Sequence, residues 1–160
     1  MPESNLLIRE ATEDDAPIIA EHLCQIAFEL GVSQGSIRED WLDKTLQFIE
    51  RARRELQYQG FVAEANGQIV GSASCQILEL YPMLSRDYQK GYIWGVYVEP
   101  AYRRTGIATK LMTKAKYYLQ EIGCTKAVLH ASETGKLLYS RLGYITSNEM
   151  VLNLDEASSS

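Results

Sequence analysis

Val96-Tyr97-Val98-Glu99-Pro100-Ala101-Tyr102-Arg103-Arg104-Thr105-Gly106-Ile107-Ala108-Thr109-Lys110-Leu111 reads as the end of a strand, a tight turn and the start of a helix. A helix N-terminus offers N–H groups without acceptors and a partial positive charge, so it can bind a phosphate through backbone alone. Gly106 and the small Ala108 let a bulky anion approach. Arg103 and Arg104 add charge, and Thr109 adds a hydroxyl at the same end. Two other phosphate loops are excluded: no glycine precedes a Gly-Lys-Ser/Thr string by four residues, and no Gly-x-Gly-x-x-Gly follows the first strand. Taken alone, the turn reads equally as an anion site or as an ordinary strand-to-helix connection.

Working outward, the chain alternates between two periods. Leu6 to Glu10 is a short strand. Thr12-Glu13-Asp14-Asp15 with Pro17 opens a helix whose apolar positions Ile18, Ile19, Leu23, Ile26, Ala27 and Leu30 end at Gly31. A second helix is expected from Ser36 to Gln57. Phe61–Ala65 and Ile69–Leu78 flank Asn66-Gly67, a strong hairpin signal. A loop over 81–90 leads to a strand at Tyr92–Val98. A helix is expected over Gly106–Ile122, a strand over Ala127–His130 and a short helix over Thr134–Arg141. Two last strands are expected at Tyr144–Ile145 and Met150–Leu154, before a frayed tail at 155–160. The order β-α-α-β-β-β-α-β-α-β-β implies one α/β domain over 1–160, its mixed sheet covered by helices on both faces.

The composition bounds the function. Net charge is −5, which argues against a nucleic-acid partner. Residues 101–130 nonetheless hold six basic residues against one acid, Glu121, for a local +5, so the rest carries −10. A small basic region on an acidic protein suits a small anionic ligand, although solvated lysines read the same way. No apolar run is long enough for a membrane span, and Met1-Pro2-Glu3-Ser4-Asn5 has no signal-peptide character, so a cytoplasmic protein is expected. Cys24, Cys75 and Cys124 show neither metal spacing nor an accompanying histidine motif, and no metal is expected.

Arg103-x-x-Gly106-x-Ala108 resembles the Gln/Arg-x-x-Gly-x-Gly/Ala signature of the GNAT acetyltransferases. The preamble Tyr97-Val98-Glu99-Pro100-x-Tyr102 resembles it too. So do Leu129-His130-Ala131-Ser132-Glu133-x-Gly135-x-x-Leu138-Tyr139-x-x-Leu142-Gly143-Tyr144 downstream and Ile8-Arg9-Glu10-Ala11-Thr12 at the start. The resemblance implies the GNAT fold: a mixed sheet of roughly six to seven strands, about four helices on both faces, and splayed fourth and fifth strands. It implies acetyl-CoA as cosubstrate and an N-acetyl transfer to a small-molecule or peptide amine.

Residue by residue, the resemblance places the pantetheine arm along Val96, Tyr97 and Val98. It places the pyrophosphate on Arg103, Arg104, Thr105, Gly106, Ile107, Ala108 and Thr109. Ser132 stands where many relatives have an arm-contacting asparagine. Tyr139 matches the tyrosine that protonates the departing thiolate, a basic leaving group of pKa ~8–9. The acceptor amine, with a pKa of ~10, needs a base or a relaying water. Many relatives carry a glutamate on the fourth strand, but Tyr92–Val98 contains no acid. Glu79 is the first substitute, His130 the second, with Glu149 and Asp87 behind them. That missing acid keeps open a second reading, a catalytically weak coenzyme-A-binding regulatory domain. Tyr81, Tyr88, Tyr92 and Trp94 make the expected acceptor region aromatic, suiting an apolar or cationic body. Exposed strand edges also allow a homodimer.

Overall fold

The computed structural model describes residues 5–79 and 89–155. These fall into two compact units, Met1–His130 and Ala131–Ser160. The first holds β1 (Leu6–Glu10), α1 (Ala16–Glu29), α2 (Trp41–Glu55), β2 (Gln59–Ala65), β3 (Gln68–Leu78), β4 (Lys90–Val98), α3 (Ile107–Glu121) and β5 (Lys126–Val128). The five strands form one sheet in sequence order, antiparallel from β1 to β4, with β5 parallel to β4. Asn66 and Gly67 both take positive φ (53° and 79°), the conformation that a two-residue hairpin turn matched to strand twist requires.

Each face of the sheet is covered by helix, as the alternation of side chains along β3 shows. A Cβ on Gly71 would meet Ile107 and Leu111 of α3, whereas the next residue, Ser72, bonds His22 of α1. α3 buries Ile107, Leu111, Met112, Ala115 and Leu119 at near helical spacing, and these face β2, β3 and β4. On the other face Ile19 and Ala16 of α1 pack with Ile49 and Ala52 of α2, over Tyr58 and Val62. No described helix is long and apolar enough to cross a membrane.

Three expectations need correction. The second helix begins at Trp41, not Ser36: Gln34–Ser36 is a single 3-10 turn, and the apolar face that holds the helix down starts only with Trp41. It ends at Glu55, before Gln57, whose positive φ turns the chain toward β2. The sheet has five described strands rather than six or seven, because residues 144–155 pair with no ladder and are not strands. The apolar residues Ile145, Met150–Leu152 and Leu154 suggested strands, but the chain there runs outside the sheet, with the Tyr144 N–H donating to the Tyr139 carbonyl at 3.0 Å. Asp87, Tyr81 and Tyr88 lie outside the described residues.

The second unit contains α4 (Lys136–Arg141), a helix of under two turns. Ser132 starts it: its carbonyl accepts the N–H groups of Gly135 and Lys136, and its Oγ accepts the Gly135 N–H at 3.1 Å.

Candidate active site

The site follows from a break in two ladders. Between β3 and β4, Ser72 faces Tyr97 but Ser74 faces Trp94, so Gly95 and Val96 together oppose Ala73 in a bulge. Gly95 takes φ +66°, and a Cβ there would lie 2.9 Å from Leu23 Cδ2 of α1. Only glycine meets both conditions without strain. On the other edge, β4 pairs with β5 at Lys90↔Lys126, Gly91↔Ala127 and Tyr92↔Val128, and the described ladder stops there. The two parallel strands therefore part after Tyr92. Beyond that point β4 continues through Val96, Tyr97 and Val98 with its β5-facing backbone groups unused by this ladder.

That edge leads directly into the turn. Pro100–Tyr102 is a 3-10 turn, and Thr105 Oγ1 donates to the Tyr102 carbonyl at 2.6 Å. Arg104 and Gly106 both take positive φ, 64° and 86°, with Thr105 between them. Alternation of this kind curls successive N–H groups toward one concavity, the geometry that holds anions. The space in front of Gly106 is open, with no atom within 4 Å of where a Cβ would sit. The α3 N-terminus follows at Ile107, Ala108 and Thr109, its first N–H groups having no carbonyl of their own helix to reach. Arg104 is exposed here.

Arg103 faces elsewhere. Its Nε donates to the Val98 carbonyl at 2.7 Å and its Nη2 to Glu29 Oε2 at 2.7 Å, with the guanidinium carbon 5.4 Å from the Tyr97 ring centre. The Glu29 carboxylate holds the guanidinium pKa above its ordinary value. Arg103 thus ties the end of β4 to the end of α1, although both arginines are exposed.

Of the base candidates, His130 lies nearest the parting point. Its Nδ1 and Tyr92 Oη are hydrogen-bonded at 3.0 Å, with the rings edge to face. Tyr92 belongs to the last β4–β5 pair, and His130 stands two residues past its partner Val128. Glu79 is exposed one residue past β3. Gln76 faces Tyr92, so Glu79 lies three residues, or roughly 10 Å of strand, further from the cleft. Between them, Trp94 Nε1 donates to Gln76 Oε1 at 2.9 Å, and the indole packs near Phe48 and Tyr58. An aromatic wall thus stands on the α2 side of β4. Its signal in the sequence was present for Trp94 but absent for Phe48.

In the second unit, Tyr139 sits on α4 with its ring edge to face with Tyr144, centroids 5.9 Å apart. Burial raises its phenol pKa above the usual tyrosine value, so the proton stays on at neutral pH. A Cβ on Gly135 would be 3.0 Å from Tyr139 Cε2, which is why glycine precedes the tyrosine by one helical turn. Ser132 Oγ is engaged locally, with Gly135 N–H and Thr134 Oγ1. Glu149 is exposed. No cluster of three or more His, Cys, Asp or Glu suited to a metal occurs among the described residues.

Comparison with known proteins gives the family and the fold. The family model described as acetyltransferase (GNAT) family matches residues 20–144. N-alpha-acetyltransferase 30 of Homo sapiens is 34% identical over 88 residues, 53% of this chain and 23% of that protein. The chain therefore spans about a quarter of the length of this relative. Glucosamine 6-phosphate N-acetyltransferase of Trypanosoma brucei brucei is 32% identical over 106 residues, covering 66% of this chain and 69% of that one. Among solved structures, a predicted acetyltransferase with acetyl-CoA from Clostridium acetobutylicum superposes with TM-score 0.80 at 25% identity, covering 93% and 96% of the two chains. A GCN5-related N-acetyltransferase from Ralstonia eutropha gives 0.78 at 26%, covering 93% and 98%.

Proposed function

This chain belongs to the acetyltransferase (GNAT) family, and on that premise we propose that it moves an acetyl group from acetyl-CoA to a primary amine, by direct attack through a tetrahedral intermediate. The observation that carries this reading is the freed edge of β4, running from the Tyr92↔Val128 parting to the Arg104–Gly106 concavity. A pantetheine arm has amide groups that pair with such an edge as an added strand would. Extended, it is about as long as four to five residues. The N–H groups of residues 104–109 would hold the pyrophosphate, and an arm of that length along β4 from Val98 would reach about as far as Ile93 and Trp94. Tyr92 and His130 would then be the side chains available to the thioester.

The residues divide the proton work. The amine nitrogen attacks the thioester carbon and must lose a proton. His130, steadied by Tyr92, takes it directly or through a water. Strand N–H groups at the bulge offset charge on the carbonyl oxygen. The carbon–sulfur bond then breaks, and Tyr139 gives its proton to the leaving thiolate, the role its place in the motif assigns. The products are an amide and free coenzyme A. The aromatic wall of Trp94 and Phe48 favours an acceptor with an apolar or cationic body.

The test is thiol release from acetyl-CoA against a panel of amines, including an amino-sugar phosphate and peptide N-termini, with calorimetry of cofactor binding alongside. Turnover that falls in Tyr139→Phe and His130→Ala supports transfer. Tight binding of acetyl-CoA with no thiol release on any acceptor would instead favour the coenzyme-A-binding regulatory reading.

A further inference from the structure

His22 is a polar side chain where the sheet needs none. It lies on the inner face of α1, 1% exposed, over the β3–β4 pair Ser72↔Tyr97. Its Nδ1 and Ser72 Oγ are hydrogen-bonded at 2.7 Å, and its ring packs on Tyr97 with centroids 4.7 Å apart. Its Nε2 makes no hydrogen bond among the described residues, yet lies 3.7 Å from Glu99 Oε1. A leucine or phenylalanine would fill this space without burying a polar atom that lacks a partner, so the nitrogen calls for a role.

The position of the pair supplies one. Ser72↔Tyr97 is the first pairing restored after the bulge at Gly95 and Val96. A bulge frees a strand to slip or bend, and the register beyond it depends on what holds the next pair. His22 touches both members of that pair and faces the residue after it but one. Glu99, in turn, is where strand becomes turn: its N–H donates to the Val70 carbonyl at 2.8 Å, and its carbonyl accepts the Tyr102 N–H at 2.8 Å.

We propose that His22 is a positioning residue for the cofactor edge: its imidazole pins Tyr97 to Ser72 and faces Glu99, and so fixes the half of β4 that presents Val96–Val98 and launches the phosphate turn. It touches neither the cofactor nor the amine. A movement of Glu99 of about 0.5–0.9 Å brings its carboxylate within hydrogen-bond reach of Nε2, so seating the cofactor and closing this contact favour each other. The inference rests on the reading of β4 and its turn as the acetyl-CoA site.

The experiment compares acetyl-CoA affinity by calorimetry with kcat at saturating cofactor. His22→Phe keeps an aromatic ring, somewhat larger, and removes both nitrogens. His22→Gln places an amide nitrogen as many bonds from Cα as Nε2. Ser72→Ala removes the Nδ1 partner with little change of volume and serves should His22→Phe not fold. The expected result is affinity about tenfold weaker in His22→Phe and about fivefold weaker in Ser72→Ala, with kcat within about twofold and most of the loss recovered in His22→Gln. Unchanged affinity in His22→Phe, equal loss in His22→Gln, or a fall in kcat matching the fall in affinity overturns the positioning role alone. A wild-type protein that does not bind acetyl-CoA overturns the site reading, and this inference with it.

Discussion

Arg103 reaches back 74 residues to Glu29, its Nη2 donating to Oε2 at 2.7 Å while its Nε holds the Val98 carbonyl. The pair is about half exposed, so its direct worth to stability is small, on the order of 0–1 kcal/mol. Its value lies in what it joins: the last residue of α1 and the last of β4. Glu29→Ala is expected to weaken acetyl-CoA binding a few-fold, about 0.5–1 kcal/mol, and to add almost nothing in an Arg103→Ala background. A double-mutant cycle on cofactor affinity checks this; additive losses would show the two residues acting separately.

The Tyr92–His130 contact predicts a graded loss of turnover. His130→Ala is expected to lower kcat by about 10²–10³, the span of a lost general base, and Tyr92→Phe by a smaller factor of about three to ten. The KM for acetyl-CoA should stay within about twofold in both, since neither residue binds its phosphates. Glu79→Gln should change neither constant. Steady-state kinetics on the best acceptor decides; a larger effect at Glu79 than at His130 would reverse the assignment.

Two glycines with the same sign of φ should respond differently to alanine. Gly95→Ala meets Leu23 Cδ2 at 2.9 Å and a φ of +66°, so a stability loss of about 2–3 kcal/mol is expected in a denaturant titration. Gly106→Ala meets only the φ cost, about 1 kcal/mol, because the space before it is open. That same open space is where the pyrophosphate sits in our reading. Gly106→Ala should therefore weaken acetyl-CoA binding about tenfold while the fold stays nearly as stable.

Burial lowers the His22 pKa to about 4 from its ordinary 6.5, outweighing the opposing pull of Glu21. The native state thus resists taking the proton that the unfolded chain accepts. Stability from this source is whole above the unfolded pKa and is lost as pH falls from about 6.5 through 4, by about 3 kcal/mol in all. The Arg9-paired Asp15, whose carboxyl lies below its usual range, adds to acid lability at lower pH. His22→Phe should flatten the stability profile between pH 6.5 and 4 and leave the Asp15 limb in place. Chemical denaturation at stepped pH measures it.

Much of the fold was legible because its signals are local. Asn66-Gly67 announced the hairpin, and Pro17 and Gly31 bounded α1. Arg103 to Thr109 was legible as a strand–turn–helix, and the family resemblance made it the proposed pyrophosphate site. What escaped the sequence depends on register. Tyr92 became a partner of His130 only once a parallel pairing set it beside Val128. Arg103 read as a phosphate ligand because charge at a turn carries no direction; the fold aims it at Glu29. Gly95 inside a strand was a bulge signal in plain sight. The segment 144–155 misled in the opposite sense, with the apolar run Met150–Leu152 but no strand.

The freed edge of β4 has a consequence outside catalysis. Strand backbone that no ladder uses is a template for any extended chain, even where, as at the Val98 carbonyl, a side chain already covers one group, and proteins ordinarily cover or charge such edges. Tyr92 to Val98 holds no acid and no lysine to repel a newcomer. Coenzyme A seated there would act as a blocking strand, so the unloaded protein is the form most prone to self-association. Purification and storage in the presence of the cofactor should therefore keep it monodisperse, and light scattering with and without acetyl-CoA would show how far solubility is itself a property of the loaded state.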